Sequence, residues 1–425
     1  MTVARREPNI GVDSSKTPRF FYGFIISIAA FFVLFSAYGV RFAYGVFFKP
    51  MAHELGFSAA TTSAAYSISF FLEGVFSLVS GGLADRFGPR RVVSISCVLV
   101  GAGYFLMPLV HTVWQLYLFY GLIIGVGMGA MFVPLVSMTA RWFSVRRNLM
   151  TGLVSSGAGA GMLIVPSSTA HLIDAYGWRT SFLISGVFVA IIVLVAAQFM
   201  KRDPEETGTV PYGESPRLPG TQSAPANGHS FREALRIPQF WTIFVMMFLF
   251  GIFAMSYNIH IVPDAINSGM PSTEAAQILA TTGALLIAGR ILMGILADGI
   301  GNRRIFILGF MIAFGAMLFI SFVHTHWAFF VLAILMGIAQ GGIGTSQSPV
   351  VASLFGLRSH GLILGCVGLG NTAGAAVGPL LTGYIFDLTK SYHVAFLICA
   401  ASSLLALGFA FLIKHIDGSE STHRL

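Results

Sequence analysis

Long apolar segments restrict the fold of this chain more than any other feature. A helix that crosses about 30 Å of hydrocarbon needs roughly 20 apolar residues. Twelve segments satisfy that requirement: 20–48, 58–84, 91–110, 114–140, 148–174, 178–199, 240–268, 274–297, 303–323, 326–352, 360–386 and 392–414. Backbone groups in lipid must be paired within the protein, and these segments are too long for barrel strands. The sequence therefore predicts an all-α integral membrane protein with twelve transmembrane helices.

The composition excludes the water-soluble classes of protein. Hydrophobic residues form 55% of the 425 positions, charged residues form 10%, and mean hydropathy is +0.79. Soluble domains carry roughly 25% charged residues. Cys97, Cys366 and Cys399 fall within predicted helices, where we expect buried thiols rather than disulfides or metal ligands. No metal-spaced His/Cys cluster, nucleotide loop or catalytic triad is present in the sequence, so we expect neither an enzyme nor a cofactor or metal requirement.

The net charge is +8, and the distribution of the basic residues indicates how the chain is oriented in the membrane. Placing the N-terminal tail and the even-numbered connections on one side collects twenty of the 25 Lys and Arg residues there. Three lie on the other side: Lys49, Arg179 and Lys390. By the positive-inside rule, both termini face the cytoplasm of a cell membrane, and nucleic-acid binding is not needed to explain the charge. The polar tail lacks a short apolar core with a cleavage site, so we expect no removable signal peptide.

A polar stretch divides the twelve segments into two groups of six. It is rich in Pro, Gly, Ser and charge, and it predicts a flexible cytoplasmic linker with a short helix near 231–236. The predicted order is an N-terminal tail (1–19), a six-helix bundle (20–200), a linker (201–239), a second six-helix bundle (240–414) and a C-terminal tail (415–425).

A duplicated motif relates the two halves. Residues 81–91 read GGLADRFGPRR, and residues 294–304, which follow at an offset of 213, read GILADGIGNRR. The same offset pairs Gly365 with Gly152 and Pro379 with Pro166. One offset maintained over several helices indicates a duplicated six-helix unit.

The motif resembles the signature of the major facilitator superfamily, which places it in these two connections. The resemblance implies two pseudo-symmetric six-helix bundles that rock about a central site. An Asp beside a tight glycine turn can hold basic residues of a neighbouring helix in one state and release them in another; simple anchoring of the loop is the alternative. The candidate switch residues are Asp85, Arg86, Arg90, Arg91, Asp298, Arg303, Arg304, Arg146 and Arg147.

A narrower resemblance begins after the fourth predicted helix. Residues 142–152 read WFSVRRNLMTG, and Gly157 and Gly161 follow. This pattern resembles a signature of the monocarboxylate transporter family, and the bacterial oxalate–formate antiporter group is similar here too. The family's first-helix signature survives only as Tyr22-Gly23-Phe24, without the usual preceding acid.

Arg290 is the basic residue that needs most explanation. It precedes Asp298 by eight residues, which places it about 12 Å inside the end of its helix. A guanidinium at such depth costs roughly 3 kcal/mol on insertion scales, so it requires a partner or a water-filled cavity, with snorkelling to the surface as the alternative. Its planar fork matches a carboxylate. In the monocarboxylate family an arginine in this helix is the substrate's carboxylate partner, and Arg290 matches that position.

Three departures from the family pattern bear on the substrate. The family has an Asp at the position of Leu286, and its helix-one lysine falls on Phe42, next to Arg41. The oxalate transporters' second cation has no counterpart, because 360–386 holds no Lys or Arg. One central cation favours a monoanion, although Arg41 is either part of the substrate path or an outer-gate or interface residue.

Candidates for proton coupling lie in three helices, and Arg41 in the first of them is one. Glu73 is the one acid predicted near mid-bilayer, about 18 Å from Asp85 along its helix. It is a proton carrier, a static partner of Arg41 or a buried acid that stays neutral. Tyr257, His260 and Asp264 share one helical stripe, which suits a proton relay, an outer gate or plain packing.

Tyr257 is also a candidate for substrate contact, as are four further polar residues. Asn258 and Asn371 either touch substrate or bridge helices, and Tyr38 and Tyr120 line either the pocket or the core. Apolar walls around one arginine favour small organic anions.

The leading hypothesis is a proton-coupled symporter of a small monocarboxylate such as lactate, pyruvate or acetate, with the anion, the proton and the lipid bilayer as its partners. The first alternative is a proton-independent exchanger of the oxalate–formate type. The second is a receptor or scaffold that does not transport. The sequence does not indicate whether an accessory subunit is needed.

Overall fold

The computed structural model describes residues 21–57, 59–214, 228–323 and 325–413. The predicted tails 1–19 and 415–425 lie outside these residues, as does part of the predicted linker. Within the described residues the chain is helical, and its only bridge pairings are two isolated ones.

The described residues contain twelve membrane helices, as the apolar segments predicted. We label them α1 to α12: Tyr22–Phe42, Ala59–Phe87, Pro89–Leu106, Val113–Trp142, 147–176, 178–198, Pro238–Asn267, Ser272–Ile300, Asn302–Phe322, His326–Phe355, His360–Thr389 and His393–Leu412. Eleven separate apolar helical segments are long enough to span a membrane, and one of them, Arg147–Gln198, contains both α5 and α6. Gly177 divides that segment with φ 74° and ψ 163°.

Two elements modify the simple pattern. The first helix is followed, after a turn at Ala43, by a shorter helix at Tyr44–Leu55. The fourth contains a π-helical stretch at Tyr117–Ile124 and an irregular turn before Val133. Between the two bundles, the short helix expected in the linker covers Phe231–Ala234 and begins with a capping box from Ser230.

The internal repeat is visible in the helix bounds themselves. Both ends of α2 and α8 differ by 213 positions, and so do both ends of α4 and α10 and of α5 and α11. Gly88 and Gly301, which begin α3 and α9, have the same rare conformation, with φ 84° and 88° and ψ 153° and 151°. Only glycine adopts this region easily. The fold is therefore two pseudo-symmetric six-helix bundles.

Each bundle has its own apolar core, while its outer surface also exposes large apolar side chains. In the first bundle, for example, Phe47 stacks on Phe182 with ring centroids 3.8 Å apart. Ile95 and Val98 on the outside are 65% and 63% exposed. Helices that are apolar all round suit a lipid environment, and the chain is a multi-pass membrane protein.

Glycines allow the two bundles to approach closely. A Cβ at Gly81 of α2 would overlap the carbonyl of Gly361 in α11, and a Cβ at Gly152 of α5 would overlap the carbonyl of Arg290 in α8. Small residues at such positions permit backbone contact between membrane helices. The α2/α11 and α5/α8 pairs therefore form the interface between the bundles.

Replacing Gly177 tests the boundary between α5 and α6. We expect Gly177→Ala to lower the free energy of unfolding by about 1–3 kcal/mol, because its backbone conformation strains any residue with a Cβ. No atom lies within 4 Å of the added methyl, so strain alone would cause the loss. Thermal unfolding in detergent measures it.

Gly101→Ala is the matched control, since Gly101 is helical and also has open space around it. It should unfold at or above the wild-type temperature. An unchanged melting temperature for Gly177→Ala would contradict the assigned kink.

Candidate functional site

The end of the molecule that holds both duplicated motifs, here called the motif end, is closed by contacts between the bundles. Asp298, near the end of α8, accepts hydrogen bonds from the backbone amides of Asn148 at 2.9 Å and Leu149 at 3.0 Å. The side-chain amide of Asn148 donates to it as well, at 2.9 Å. These amides belong to the first turn of α5, where helix N–H groups lack internal partners and the dipole favours a negative charge. A carboxylate of the second bundle thus caps a helix of the first.

Asp85 makes the reciprocal contact. It accepts a hydrogen bond at 3.1 Å from the backbone amide of Leu362 in the first turn of α11. Leu149 and Leu362 are separated by the same 213 positions as the two aspartates. Each bundle therefore supplies an aspartate that caps a helix of its neighbour, and duplication explains why the arrangement occurs twice.

Arg141 reinforces only the Asp85 contact. Its side chain is 5% exposed and lies 3.0 Å from Asp85, 3.3 Å from Asp203 and 2.6 Å from the carbonyl of Leu357. The predicted switch residues Arg146 and Arg147 follow α4 in the chain, and Arg141 was not among the predicted residues. The sequence does contain one signal for Arg141, which is a difference between the two repeats. The 213-residue offset pairs Arg141 with Leu354, and a charge present in only one half indicates a specific role there.

A buried histidine adds a second contact at the motif end. His360 of α11 has no solvent exposure. Its Nδ1 lies 2.8 Å from the hydroxyl of Ser137 in α4, and its Nε2 lies 3.0 Å from the carbonyl of Ser348 in α10. Because a carbonyl only accepts, Nε2 carries the proton and Nδ1 accepts from Ser137. His360 was not among the predicted site residues, because it belongs to no recognisable sequence motif.

The predicted basic switch residues lie elsewhere at the motif end. Arg90 donates to the side chain of Gln198, Arg303 donates to the carbonyl of Phe411 at 2.9 Å, and Arg147 donates to the carbonyl of Phe143 at 2.9 Å. Arg86 lies over the ring of Phe87, and Arg146 adopts a left-handed conformation immediately before α5. Among the described contacts, none joins Arg86, Arg90, Arg91, Arg303 or Arg304 to either aspartate.

Arg290 lies at the interface between the bundles. Its guanidinium donates from Nη1 to the carbonyl of Ser155 in α5, and its buried Nε has no hydrogen-bond partner in the described part of the chain. In the same residues no carboxylate lies within ion-pair distance of it. Arg290 and Tyr38 of α1 are close enough to interact electrostatically. The cation is therefore placed between the bundles and is not neutralised by a described acid.

Across the interface, Arg41, Glu73 and Tyr38 form one polar cluster. Nη1 of Arg41 lies 2.5 Å from Oε2 of Glu73, with side-chain exposures of 1% and 13%. The Tyr38 hydroxyl donates to Oε1 of Glu73 at 2.6 Å. The Arg41 guanidinium also lies over the rings of Tyr66 and Phe70, at 5.3 and 5.2 Å from their centroids. Oε1 of Glu73 thus accepts a hydrogen bond from Tyr38, while Oε2 lies within ion-pair distance of Arg41.

Two of the predicted tyrosines are buried in the cores of the bundles. Tyr120 is 1% exposed and packs on Tyr44, with centroids 4.1 Å apart, in the first core. Tyr257 is fully buried in the second core, and its hydroxyl lies 2.6 Å from that of Thr282.

The remaining predicted polar residues lie in the second bundle. The side chain of Asn258 donates to Gln340 at 3.4 Å, and Asn371 packs against Gly251. His260 lies 3.1 Å from the carbonyl of Pro379, and its ring is 5.4 Å from that of Tyr392. Asp264 is 5% exposed. The predicted stripe therefore contacts α8 through Tyr257 but α11 through His260. No group of three His, Cys, Asp or Glu side chains in the described residues could hold a metal ion.

Known sequences and structures resemble most of this chain. A family model described as "Major Facilitator Superfamily" matches residues 30–298 and 261–424. Monocarboxylate transporter 4 of Gallus gallus is 26% identical over 421 residues, which cover 95% of this chain and 86% of that protein. Riboflavin transporter RibJ of Trypanosoma cruzi (strain CL Brener) is 26% identical over 404 residues, which cover 84% of this chain and 86% of that protein.

Two solved structures share the architecture. The transporter FucP in the outward conformation aligns with a TM-score of 0.70 at 17% identity, covering 93% of this chain and 100% of that one. The human organic anion transporter MFSD10 (TETRAN) aligns with a TM-score of 0.70 at 14% identity and the same coverage. At these identities the structures demonstrate a shared fold.

Removing either capping aspartate should open the motif end. We expect Asp85→Asn and Asp298→Asn each to increase the population open at that end about three- to thirty-fold, because each loses a charge from a helix N-terminus. A cysteine at Ser348, which is 2% exposed, would report opening through its rate of maleimide alkylation, with the three native cysteines replaced by Ala.

The control is Asp174→Asn, which removes an exposed acid at the other end of α5. Its alkylation rate should equal that of the parent. Equal rates in all three variants would show that the aspartates do not hold the bundles together.

Proposed function

This chain belongs to the Major Facilitator Superfamily, and on that basis we propose that it transports a small monocarboxylate together with a proton. Its relation to the monocarboxylate transporters supports the substrate class. The single observation that carries the proposal is Arg290, a guanidinium between the bundles with no carboxylate partner among the described residues. A small organic anion such as lactate, pyruvate or acetate would supply the missing charge.

The bonding of Arg290 favours a carboxylate ligand. One nitrogen already donates to the Ser155 carbonyl, and Nε remains available. A buried guanidinium with unused donors binds a planar carboxylate through parallel hydrogen bonds. Tyr38 faces the same region, so substrate that reaches Arg290 lies close to the Glu73 cluster.

The pseudo-symmetry supports Glu73 as the proton carrier. The acid that the monocarboxylate family has in this part of α8 is replaced here by Leu286, and Leu286 corresponds through the 213-residue offset to Glu73. The acid therefore occurs at the equivalent position of the other repeat. Protonation of Glu73 would leave Arg41, Arg290 and one substrate carboxylate with a net charge of +1, which equals that of the empty site with Glu73 ionised.

The orientation follows from the charge distribution. The motif end carries the basic connections, so we assign it to the cytoplasm of a cell membrane, with both termini on that side. The contacts of Asp85 and Asp298 close this end. In the proposed transport cycle, this closed motif end alternates with one that is open to the cytoplasm.

The ion pair itself favours a second candidate, proton-independent anion exchange. Glu73 already lies within ion-pair distance of Arg41 and accepts a hydrogen bond from Tyr38, so its charge has a partner inside the first bundle. Without a proton, the two arginines, Glu73 and one substrate carboxylate sum to zero charge, whereas the empty site carries +1. If the neutral, loaded protein changes between its two conformations more easily than the charged, empty protein, it exchanges one anion for another.

Substitution of Arg290 tests the substrate site. We expect Arg290→Gln to reduce uptake of labelled lactate, pyruvate and acetate into proteoliposomes by more than about 30-fold, because it removes the charge partner of the anion. Arg290→Lys keeps the charge without the fork and should fall between the two.

Arg232→Gln serves as control, since Arg232 is an exposed cation of the linker helix. It should transport at the wild-type rate. Wild-type uptake of all three acids by Arg290→Gln would overturn the site assignment.

Glu73→Gln separates the two coupling modes. For symport we expect that this variant exchanges labelled substrate across the membrane but no longer accumulates it when external pH is lowered, because glutamine cannot carry the proton. Uptake driven by a pH gradient and counterflow without one are both measured in proteoliposomes.

Glu54→Gln is a matched control, because Glu54 also pairs with an arginine, Arg179, but at the end of the molecule opposite the motif end. The Arg179 contact, followed by one from Trp178, lowers the pKa of Glu54, so Glu54 remains ionised in the tested pH range. If wild-type protein ignores the pH gradient and requires internal anion, exchange is the correct mode.

A further inference from the structure

A basic groove lies at the motif end, outside the interface between the bundles. It has a volume of about 510 Å³ and is formed by the start of α3 and the chain that follows α6. Its charged lining residues are Arg90, Arg91, Lys201, Arg202 and Glu206. Four cations thus surround the space against one carboxylate.

Most of this positive charge is not neutralised within the protein. Arg90 donates to the neutral side chain of Gln198, and the Lys201 ammonium lies 5.1 Å from the ring centroid of Tyr22. Of these four cations, Arg202 alone pairs with an acid among the described residues, Asp203 at 3.2 Å. In the described part of the chain, Arg90, Arg91 and Lys201 have no carboxylate within ion-pair distance.

The backbone adds to the same field. The helix α3 spans 18 residues and begins at the groove, where Gly88 provides no side-chain cap and Pro89 occupies the first turn. The free N–H groups and the dipole of a helix N-terminus favour an anion. Side chains and backbone therefore both favour negative charge in the groove.

The surface beside the groove is apolar and faces lipid. Ile95 and Val98 of α3 are 65% and 63% exposed. Val195 of α6 is 56% exposed and Phe199, at its end, is 45% exposed. A ligand that fits both regions has an anionic head and hydrocarbon tails.

We propose that this groove binds the phosphate headgroup of an anionic phospholipid from the adjoining leaflet, with the acyl chains along α3 and α6. The lipid would act on the closed state, because the segment that forms one wall of the groove includes Asp203. Asp203 contacts Arg141, which contacts Asp85. Headgroup binding therefore holds this segment in the position in which it supports the motif-end contacts. The proposal does not depend on the identity of the transported solute.

The repeat provides a matched pair of variants. Arg90 and Arg91 correspond through the 213-residue offset to Arg303 and Arg304. Arg303 already donates to the carbonyl of Phe411, and the described groove does not include either residue. Arg90→Gln/Arg91→Gln and Arg303→Gln/Arg304→Gln remove the same charge from equivalent positions.

The experiment titrates purified full-length protein in detergent with phosphatidylglycerol, phosphatidylcholine or glycerol phosphate, and follows thermal unfolding. We expect phosphatidylglycerol to raise the melting temperature of wild-type protein and of the Arg303/Arg304 variant, and the other two compounds to have little effect. The Arg90/Arg91 variant should need about thirty-fold more phosphatidylglycerol for the same shift, since each basic residue near an anionic surface adds to the attraction.

Three results would overturn the proposal. Equal response to phosphatidylcholine would indicate that the headgroup charge is not recognised. Equal weakening in both double variants would indicate a general charge effect. Stabilisation by glycerol phosphate at the same concentrations would assign the groove to a free anion. If the Arg90/Arg91 variant fails to fold, Lys201→Gln provides the same comparison with a smaller expected loss.

Discussion

The closed arrangement of this protein depends on helix N-termini that are capped by carboxylates of the opposite bundle. The first turns of α5 and α11 start at the interface, where their amide groups require acceptors. Asp298 and Asp85 provide them across the boundary. Because each aspartate belongs to one bundle and its amides to the other, the bundles cannot separate at this end without exposing both sets of groups to new partners. Arg141 and His360 add to contacts that the duplication had already created.

The charged residues deeper in the interface are not paired in the same reciprocal way. Arg41 and Glu73 neutralise each other inside the first bundle, while Arg290 projects from the second with only a backbone acceptor described. An interior cation is costly, and an anion that enters between the bundles removes that cost. Binding would then occur where the two halves meet, so a bound solute contacts both halves during rearrangement.

The fold could be predicted from the sequence almost completely, because span length and the 213-residue repeat depend only on local composition and order. The site could be predicted in part. A charged residue such as Arg290 or Glu73 stands out in an apolar helix, and the Arg41–Glu73 pair was one of the alternatives. The facing direction of Tyr120 and Tyr257 was not predictable, since helices that are apolar all round give no preferred side. Arg141 and His360 depend on partners in distant helices, which no single sequence identifies.

The equal helix bounds of the two repeats have one more consequence. Halves related by an axis along the membrane normal place equivalent residues at the same bilayer depth. Glu73 and Leu286 therefore lie on opposite walls at one level, as do Ser77 and Arg290. Each functional side chain can therefore occupy either of two equivalent positions, one in each repeat. An ancestor with identical halves had to place the acid and the cation in both repeats or in neither. The present arrangement, with Glu73 in one repeat and Arg290 in the other, became possible only after the two copies diverged.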